Sequence, residues 1–236
     1  ALNLGNLGTA YFFLGEFEKA LNQTNEALDI YKSTEDVIGE ARCLGDLGLI
    51  YNAMGEIEKA LYFHETAVFL NKQMNNKLDE GKQLGNLGLI YRDIGDYTKA
   101  NKYFDEALDI FREYKYESGE ARQLGNIGNL YLLNGDYEKA RMLFEKSISL
   151  HHKLGNNADE ATMAFNLGNV YFLLQDYAKA LKFYTRTLEY QKEIKDQLGE
   201  AQVLGNIGNI YNYLNDYDLA ITYYTNSLEI YRDYGA

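Results

Sequence analysis

An asparagine or aspartate recurs every 40 residues along this chain, and side-chain amides at such a spacing can bind a peptide backbone. The sixth place of each 40-residue stretch holds Asn6, Asp46, Asn86, Asn126, Asn166 and Asn206, and the ninth place of the fourth to sixth stretches holds Asn129, Asn169 and Asn209. An amide side chain offers both donors and an acceptor, which are also the needs of a peptide main chain. The spacing therefore predicts a row of amides that holds an extended peptide without reading its sequence.

A short basic run accompanies the amides. The second place of three successive stretches holds Arg42, Lys82 and Arg122. Cations at these places can fix acidic side chains, and arginine can do so through two parallel hydrogen bonds. These three cations predict a protein or peptide partner with acidic residues. Asp46 is an exception in the amide row, because a carboxylate in place of an amide would repel an acidic ligand.

The same amides have a structural interpretation. An asparagine at a repeated helical place can hydrogen-bond to its neighbour in the next stretch and so tie the stretches together. The sequence leaves both interpretations open, and both can hold in one chain.

A 40-residue repeat positions these residues. Three columns recur without exception, and they hold Gly8, Gly48, Gly88, Gly128, Gly168 and Gly208; Tyr11, Tyr51, Tyr91, Tyr131, Tyr171 and Tyr211; and Ala20, Ala60, Ala100, Ala140, Ala180 and Ala220. Chains of this kind grow by adding equal units and not by enlarging one core. The predicted repeats are 1–40, 41–80, 81–120, 121–160, 161–200 and 201–236.

Each repeat has the apolar spacing of two helices. Leu84, Leu87 and Tyr91 fall on one helical stripe. Gly95 and Asp96 follow, which suit a helix end and the cap of the next helix. A second stripe then begins, so that each repeat is predicted to be a helix–turn–helix hairpin, helix A followed by helix B. The small residues Gly88 and Ala100 are expected where the two helices cross, with Phe104 and Tyr91 filling the space beside them.

The repeated order Leu-x-x-Leu-Gly-x-x-Tyr, Gly-Asp-Tyr-x-x-Ala and Phe-x-x-Ala resembles the tetratricopeptide repeat. The resemblance covers the whole chain, although the family's usual period is 34 residues and its usual proline after helix B is absent. The phrase GEARQLGNIG at 119–128 is similar to the longer repeats of Pins/LGN-type adaptors. This resemblance implies an all-α, right-handed superhelical solenoid of six repeats, forming one domain over 1–236.

The resemblance also implies a function. Helix A would line a concave groove that binds an extended or helical segment of a partner protein, as in a scaffold or adaptor for signalling. In the resembled proteins asparagine and arginine hold the partner peptide, which carries over here to Asn86, Asn126, Asn166, Asn206 and Arg122. The chain would then be a non-enzymatic interaction module and a fragment of a larger protein.

Composition excludes several other classes of function. The net charge of −12 disfavours nucleic acid and anionic membrane surfaces as partners. No apolar run reaches the length of a membrane span. The single cysteine, Cys43, cannot form an internal disulfide, which favours a reducing, cytoplasmic location.

We expect no catalysis, no cofactor and no metal. The phrases GNLG and GNIG lie within predicted helices, and no phosphate-binding motif is present. His64 takes the place of a core aromatic residue of helix B. His151 and His152 are neighbours on a helix and point apart, which makes a poor metal site.

A second function class remains open. A solenoid needs polar capping units at its ends, and the last repeat carries apolar residues such as Tyr223, Tyr224 and Ile230. The alternative is therefore a self-assembly or intramolecular regulatory or sensor module that acts through exposed ends.

Overall fold

The computed structural model describes residues 1–235, which contain twelve α-helices and no strand. The predicted all-α class and the six helical hairpins are thereby confirmed. The A helices are α1 (Leu2–Phe13), α3 (Val37–Ala53), α5 (Lys77–Asp93), α7 (Glu117–Leu133), α9 (Asn157–Leu173) and α11 (Gln197–Tyr213). The B helices are α2 (Phe17–Ser33), α4 (Ile57–Gln73), α6 (Tyr97–Glu113), α8 (Tyr137–Leu154), α10 (Tyr177–Glu193) and α12 (Tyr217–Tyr234).

The chain forms two compact units, Ala1–Gly119 and the part that begins at Glu120. We call them the N-terminal and the C-terminal unit. Within the N-terminal unit each helix from α1 to α6 packs on the next one along the chain, and within the C-terminal unit the helices from α8 to α12 do the same. From the second repeat onward, helix A begins four residues before the repeat boundary set by the sequence period, for example at Val37 and not at 41.

The turn within a hairpin has the predicted glycine at the end of helix A and the predicted aspartate cap on helix B. Gly95 has a φ of +83°, a left-handed conformation that favours glycine. The Asp96 carboxylate then accepts a hydrogen bond of 3.1 Å from the Lys99 backbone N–H at the start of α6. Asp136, Asp176 and Asp216 cap α8, α10 and α12 in the same way.

The two helices of a hairpin approach closely at the recurring glycine. A Cβ atom added to Gly88 would clash with the ring of Phe104, which is fully buried beside it. The close contact predicted at Gly88 is therefore present, and it explains a mid-helix glycine that costs about 1 kcal/mol relative to alanine. The equivalent pairs are His64 on Gly48, Phe144 on Gly128, Tyr184 on Gly168 and Tyr224 on Gly208, whereas the first repeat has Thr24 on Gly8.

The recurring tyrosine is held between a cation and a second ring. The ammonium of Lys99 lies 4.7 Å from the ring centroid of Tyr91, and Tyr103 stacks on the same ring at 5.4 Å with an interplanar angle of 13°. Lys99 also pairs with Asp96 at 3.5 Å. Cation–π contacts and offset stacking each stabilise by about 0.5–1.5 kcal/mol. The same arrangement occurs around Tyr51 and Tyr171.

The junction from helix B to the next helix A has two alternating forms. At the first junction the ring of Tyr31 occupies the space over Gly39, and at the third the ring of Phe111 packs against Gly119. The second and fourth junctions have polar residues at both places. There Asn71 and Asp79 both hydrogen-bond to Asn76, and His151 lies 3.7 Å from Asp159. At these four junctions a large ring is thus paired with glycine and a polar side chain with aspartate, whereas at the fifth junction the polar Gln191 lies against Gly199.

Candidate functional site

Three of the predicted groove residues lie together in the N-terminal unit. Arg42 and Asp46 on α3 and Lys82 on α5 line one open cleft of about 230 Å³, together with Asp79 and Gln83. All three come from A helices, α3 and α5.

The two cations of this cleft are already engaged. The Lys82 ammonium lies 2.7 Å from the Asp79 carboxylate. The Arg42 guanidinium donates a hydrogen bond of 2.7 Å to the Tyr31 hydroxyl and lies 5.7 Å from the centroid of that ring. Both charges are therefore less available to an acidic ligand than the sequence alone indicates.

Unlike Arg42 and Lys82, Asp46 has no partner among the described residues. The carboxylate is half-buried, and it makes no hydrogen bond or ion pair within residues 1–235. Burial raises the pKa of Asp46 to about 6, against the opposing effect of the nearby Arg42 charge. Asn6, which is exposed, and Asn86, which is half-buried, also lack a hydrogen-bond partner in the described part of the chain.

A second, apolar cleft begins at Asp46 and extends to α1. Phe12, Phe13 and Leu49 line it, and Phe13 is 81 % exposed. Thr24 also lines this cleft, with its hydroxyl buried and without a hydrogen-bond partner. Sequence reasoning missed Thr24, although the column that holds His64 and Phe104 in later repeats would have shown a ring missing there.

The C-terminal unit contains a cleft lined by amides. Asn169 on α9 and Asn206 and Asn209 on α11 surround an open space of about 260 Å³. Phe172 and Leu173 form its apolar wall. Three predicted groove residues are thus brought together beside apolar side chains, without a formal charge among the lining residues.

Two of these amides are oriented by tyrosines of helix B. The Tyr184 hydroxyl donates a hydrogen bond of 2.6 Å to Oδ1 of Asn169, and the Tyr224 hydroxyl donates one of 2.8 Å to Oδ1 of Asn209. Because each amide oxygen already accepts a bond, the amino groups remain as donors. Asn206 makes no hydrogen bond within the described residues.

The remaining amides of this unit bond to one another or to the helix. Asn166 on α9 donates a hydrogen bond of 3.1 Å to Asn129 on α7, which joins two successive A helices as the structural interpretation predicts. Asn126 donates one of 3.2 Å to the buried Gln123. Arg122 is exposed and has neither an ion pair nor a hydrogen bond among residues 1–235.

The residues considered for chemistry are structural. His64 is fully buried and bonds Gln83 at 2.7 Å, and burial lowers its pKa to about 4, so its predicted core role is confirmed. Burial raises the pKa of Cys43 to about 11, which disfavours the reactive thiolate. Residues 1–235 contain no group of three histidine, cysteine or acidic residues that could hold a metal ion. None of their helices combines the length and apolar character needed to cross a bilayer.

Sequence comparison gives a family match over most of the chain. The sequence profile described as "Tetratricopeptide repeat" matches residues 1–70, 82–153 and 159–233. No significant match occurs among curated proteins.

Solved structures of the same fold are numerous and distant in sequence. BtubC (BKLC) from P. vanneervenii is 18 % identical, with a TM-score of 0.82 over 93 % of this chain and 92 % of that one. A Rap protein complexed with Competence and Sporulation Factor is 16 % identical, with a TM-score of 0.74 over 98 % and 74 % of the two chains. Aspartyl phosphate phosphatase F from Bacillus subtilis is 17 % identical, with a TM-score of 0.74 over 96 % and 58 %. Likeness at these identities shows the fold alone.

Proposed function

Because this chain belongs to the tetratricopeptide repeat family, whose members are protein-interaction scaffolds, we propose that it binds a segment of a partner protein along its A helices. The segment is extended or helical, and the chain itself carries out no chemistry on it. The observation that carries this proposal is the pair of oriented amides, Asn169 and Asn209, which line an open cleft and whose oxygens accept tyrosine hydroxyls, so that their amino groups remain as donors.

The chemistry of the cleft fits a peptide. Amino groups held in place by Tyr184 and Tyr224 can donate to main-chain carbonyl oxygens of a ligand. Phe172 and Leu173 beside them offer apolar surface to a ligand side chain. Neighbouring helices lie about 8–10 Å apart and an extended peptide advances about 3.3 Å per residue. Successive A helices would therefore meet roughly every third ligand residue.

The charge of the ligand differs along the A helices. Arg122 has no partner among the described residues and favours an acidic ligand residue near it, whereas Lys82 is already neutralised by Asp79. The Rap protein of similar fold was solved in a complex with Competence and Sporulation Factor, which is a precedent for a bound factor on this fold. A cytoplasmic adaptor role of the Pins/LGN type remains part of the proposal.

Selection from a random peptide library would test the proposal. The informative variant is Asn169→Asp combined with Asn209→Asp, because each carboxylate still accepts the tyrosine hydroxyl but no longer offers donors to a ligand. A matched control is Asn22→Asp combined with Asn226→Asp, which changes the net charge equally at exposed places on B helices.

We expect the wild type and the control to select and bind peptides, and the cleft variant to bind the selected peptides at least tenfold more weakly, or by about 1.4 kcal/mol. Circular dichroism would verify that all three proteins are equally helical. Equal affinity of the cleft variant and the control would show that the amides serve the fold alone.

A second candidate function rests on the outer face of α12. Tyr217, Ile221 and Leu228 are exposed there, Ile221 by 63 %. The corresponding B helices α8 and α10 each pack against the helix A that follows them. Self-association or intramolecular docking through this face is the alternative to ligand binding. Sedimentation equilibrium of the wild type and of Ile221→Lys over a range of concentrations would decide: a dimer lost in the variant supports it, and a monomer throughout contradicts self-association.

A further inference from the structure

We propose that the first two repeats bind a basic side chain of the partner segment, with its methylene stem against Phe12, Phe13 and Leu49 and its charged end at the Asp46 carboxylate. This inference rests on the proposed function, since it names the chemistry of one ligand residue on the same A-helix face. The basic run Arg42, Lys82 and Arg122 predicts an acidic ligand residue, whereas this inference assigns a basic one to the first two repeats.

The first observation is the unpaired carboxylate. The sixth place of the repeat holds asparagine in five repeats and aspartate only in the second. Asp46 is half-buried and has no hydrogen bond or ion pair with any described residue. Partly burying a carboxylate without a partner is unfavourable, and a ligand cation would remove that penalty.

The nearby cations of the chain do not fill this role. Arg42 lies one helical turn before Asp46, a spacing that permits an ion pair, yet its guanidinium is directed to Tyr31. Lys82 lines the same polar cleft, and its ammonium is paired with Asp79 at 2.7 Å. The Asp46 carboxylate is thus left to a group from outside the chain.

The second observation is the missing ring at Thr24. The other five repeats place His or an aromatic residue on the recurring glycine, and the first repeat places threonine there. The Thr24 side chain is fully buried, it lines the apolar cleft with Asp46, and its hydroxyl has no partner. The place that a ring fills in the other repeats is thus left to a smaller residue at the wall of this cleft.

The walls of the cleft suit a long basic side chain better than other side chains. Lysine and arginine carry an apolar stem and a charged end, and their cations are attracted to aromatic faces such as that of the exposed Phe13. An acidic side chain would be repelled by Asp46, and a neutral apolar one would leave the carboxylate unpaired. The net charge of −12 also attracts basic segments.

The test compares peptide selection on the wild type and on Asp46→Asn. This substitution installs the residue found in the other five repeats, so we expect the fold to be retained, and circular dichroism would verify it. Asp29→Asn is the control, because it removes one negative charge from an exposed place on α2, outside both clefts.

We expect peptides selected on the wild type and on Asp29→Asn to share lysine or arginine at one fixed position, and those selected on Asp46→Asn to lose this preference. Replacing that lysine by norleucine in a selected peptide should weaken binding to the wild type about tenfold and leave binding to Asp46→Asn unchanged.

Two results would overturn the inference. One is the same basic preference on Asp46→Asn as on the wild type, and the other is selection of peptides with no basic residue in common. The proposed function would stand in both cases, because peptides were bound. Failure of the wild type to select any peptide would instead overturn the proposed function, and this inference with it.

Discussion

The hydroxyl of Tyr184, on a buried ring of helix B, reaches the amide oxygen of Asn169 on the exposed face of helix A at 2.6 Å. The same ring packs on Gly168, the residue adjacent to that asparagine. One side chain therefore contributes both to the contact between the two helices and to the orientation of an amide that faces the cleft.

Replacing Tyr184 by phenylalanine should separate these two contributions. The ring remains, so the fold is retained, and loss of the hydrogen bond should lower the free energy of unfolding by about 0.5–1.5 kcal/mol. The Asn169 amide is then free to rotate, and affinity for a selected peptide should fall about fivefold. Urea denaturation and fluorescence anisotropy would measure the two effects. Tyr137→Phe is the control, and an equal loss of affinity in it would contradict the role assigned to the Tyr184 hydroxyl.

Asp46 should make stability depend on pH in a narrow range. Its pKa is about 6 in the folded chain, above the ordinary value of 3.8. The folded state therefore holds this proton more tightly than the unfolded state, and stability falls as the pH rises from about 4 to about 6. The charged groups around it are Arg42 on the same helix and Asp79 and Lys82 across the polar cleft.

Asp46→Asn removes this dependence. At pH 7 the variant should be about 1–3 kcal/mol more stable than the wild type, and the difference should vanish only near about pH 3, where the aspartate is protonated in both states. Urea midpoints measured on both proteins across this range would test it. A difference that is constant with pH would show that the carboxylate is not responsible.

Two glycines of the C-terminal unit should respond to alanine in opposite directions. A Cβ atom at Gly168 would lie 2.6 Å from the ring of Tyr184, whereas at Gly205 the nearest atom is Oγ of Ser227 at 3.7 Å. Both glycines lie within A helices, where alanine is favoured by about 1 kcal/mol. Gly205→Ala should therefore raise the thermal midpoint, and Gly168→Ala should lower stability by about 1–3 kcal/mol through overpacking. A rise in stability for both variants would show that the close contact at Gly168 is not needed.

Arg122 and Lys82 should contribute unequally to the binding of an acidic peptide. Within residues 1–235 Arg122 has no partner, so Arg122→Gln should weaken binding about two- to fivefold, the size of an exposed ion pair. Lys82 is already paired with Asp79, so Lys82→Gln should change affinity less than twofold. Titrations at low and high salt would measure both, since an ionic contribution is screened by salt. Equal effects would indicate attraction by overall charge and not by a specific contact.

The hairpins and their closest contacts follow from the sequence because they depend on residues that recur in every repeat. Gly88 and Phe104 are 16 places apart in a repeated pattern, and only a helical hairpin brings them together each time. The capping by Asp96 is equally local, since it needs only the backbone of the next turn.

Whether a candidate site residue is free or already paired depends on side chains outside the repeated pattern. Arg42 turns to Tyr31, and Lys82 to Asp79, and neither partner recurs in all repeats. Asn129 and Asn166 are joined because both are asparagine at the right distance across two A helices. Predicting such pairs requires the distances between side chains on neighbouring helices, and the residue types at repeated places do not give those distances.

The alternating junctions constrain how a chain of this kind can be copied. Tyr31 fits Gly39, and Asn71 fits Asp79. In each pair the first residue lies at the end of a helix B and the second at the start of the next helix A. A gene segment cut at the helix ends, between places 34 and 36 of a repeat, would separate such partners and could set a ring against an aspartate. A segment cut inside helix A, after place 40, inherits each pair intact. The unit of duplication that preserves the fit is thus offset from the helical hairpin, and copying two repeats at a time also preserves the alternation of glycine and aspartate.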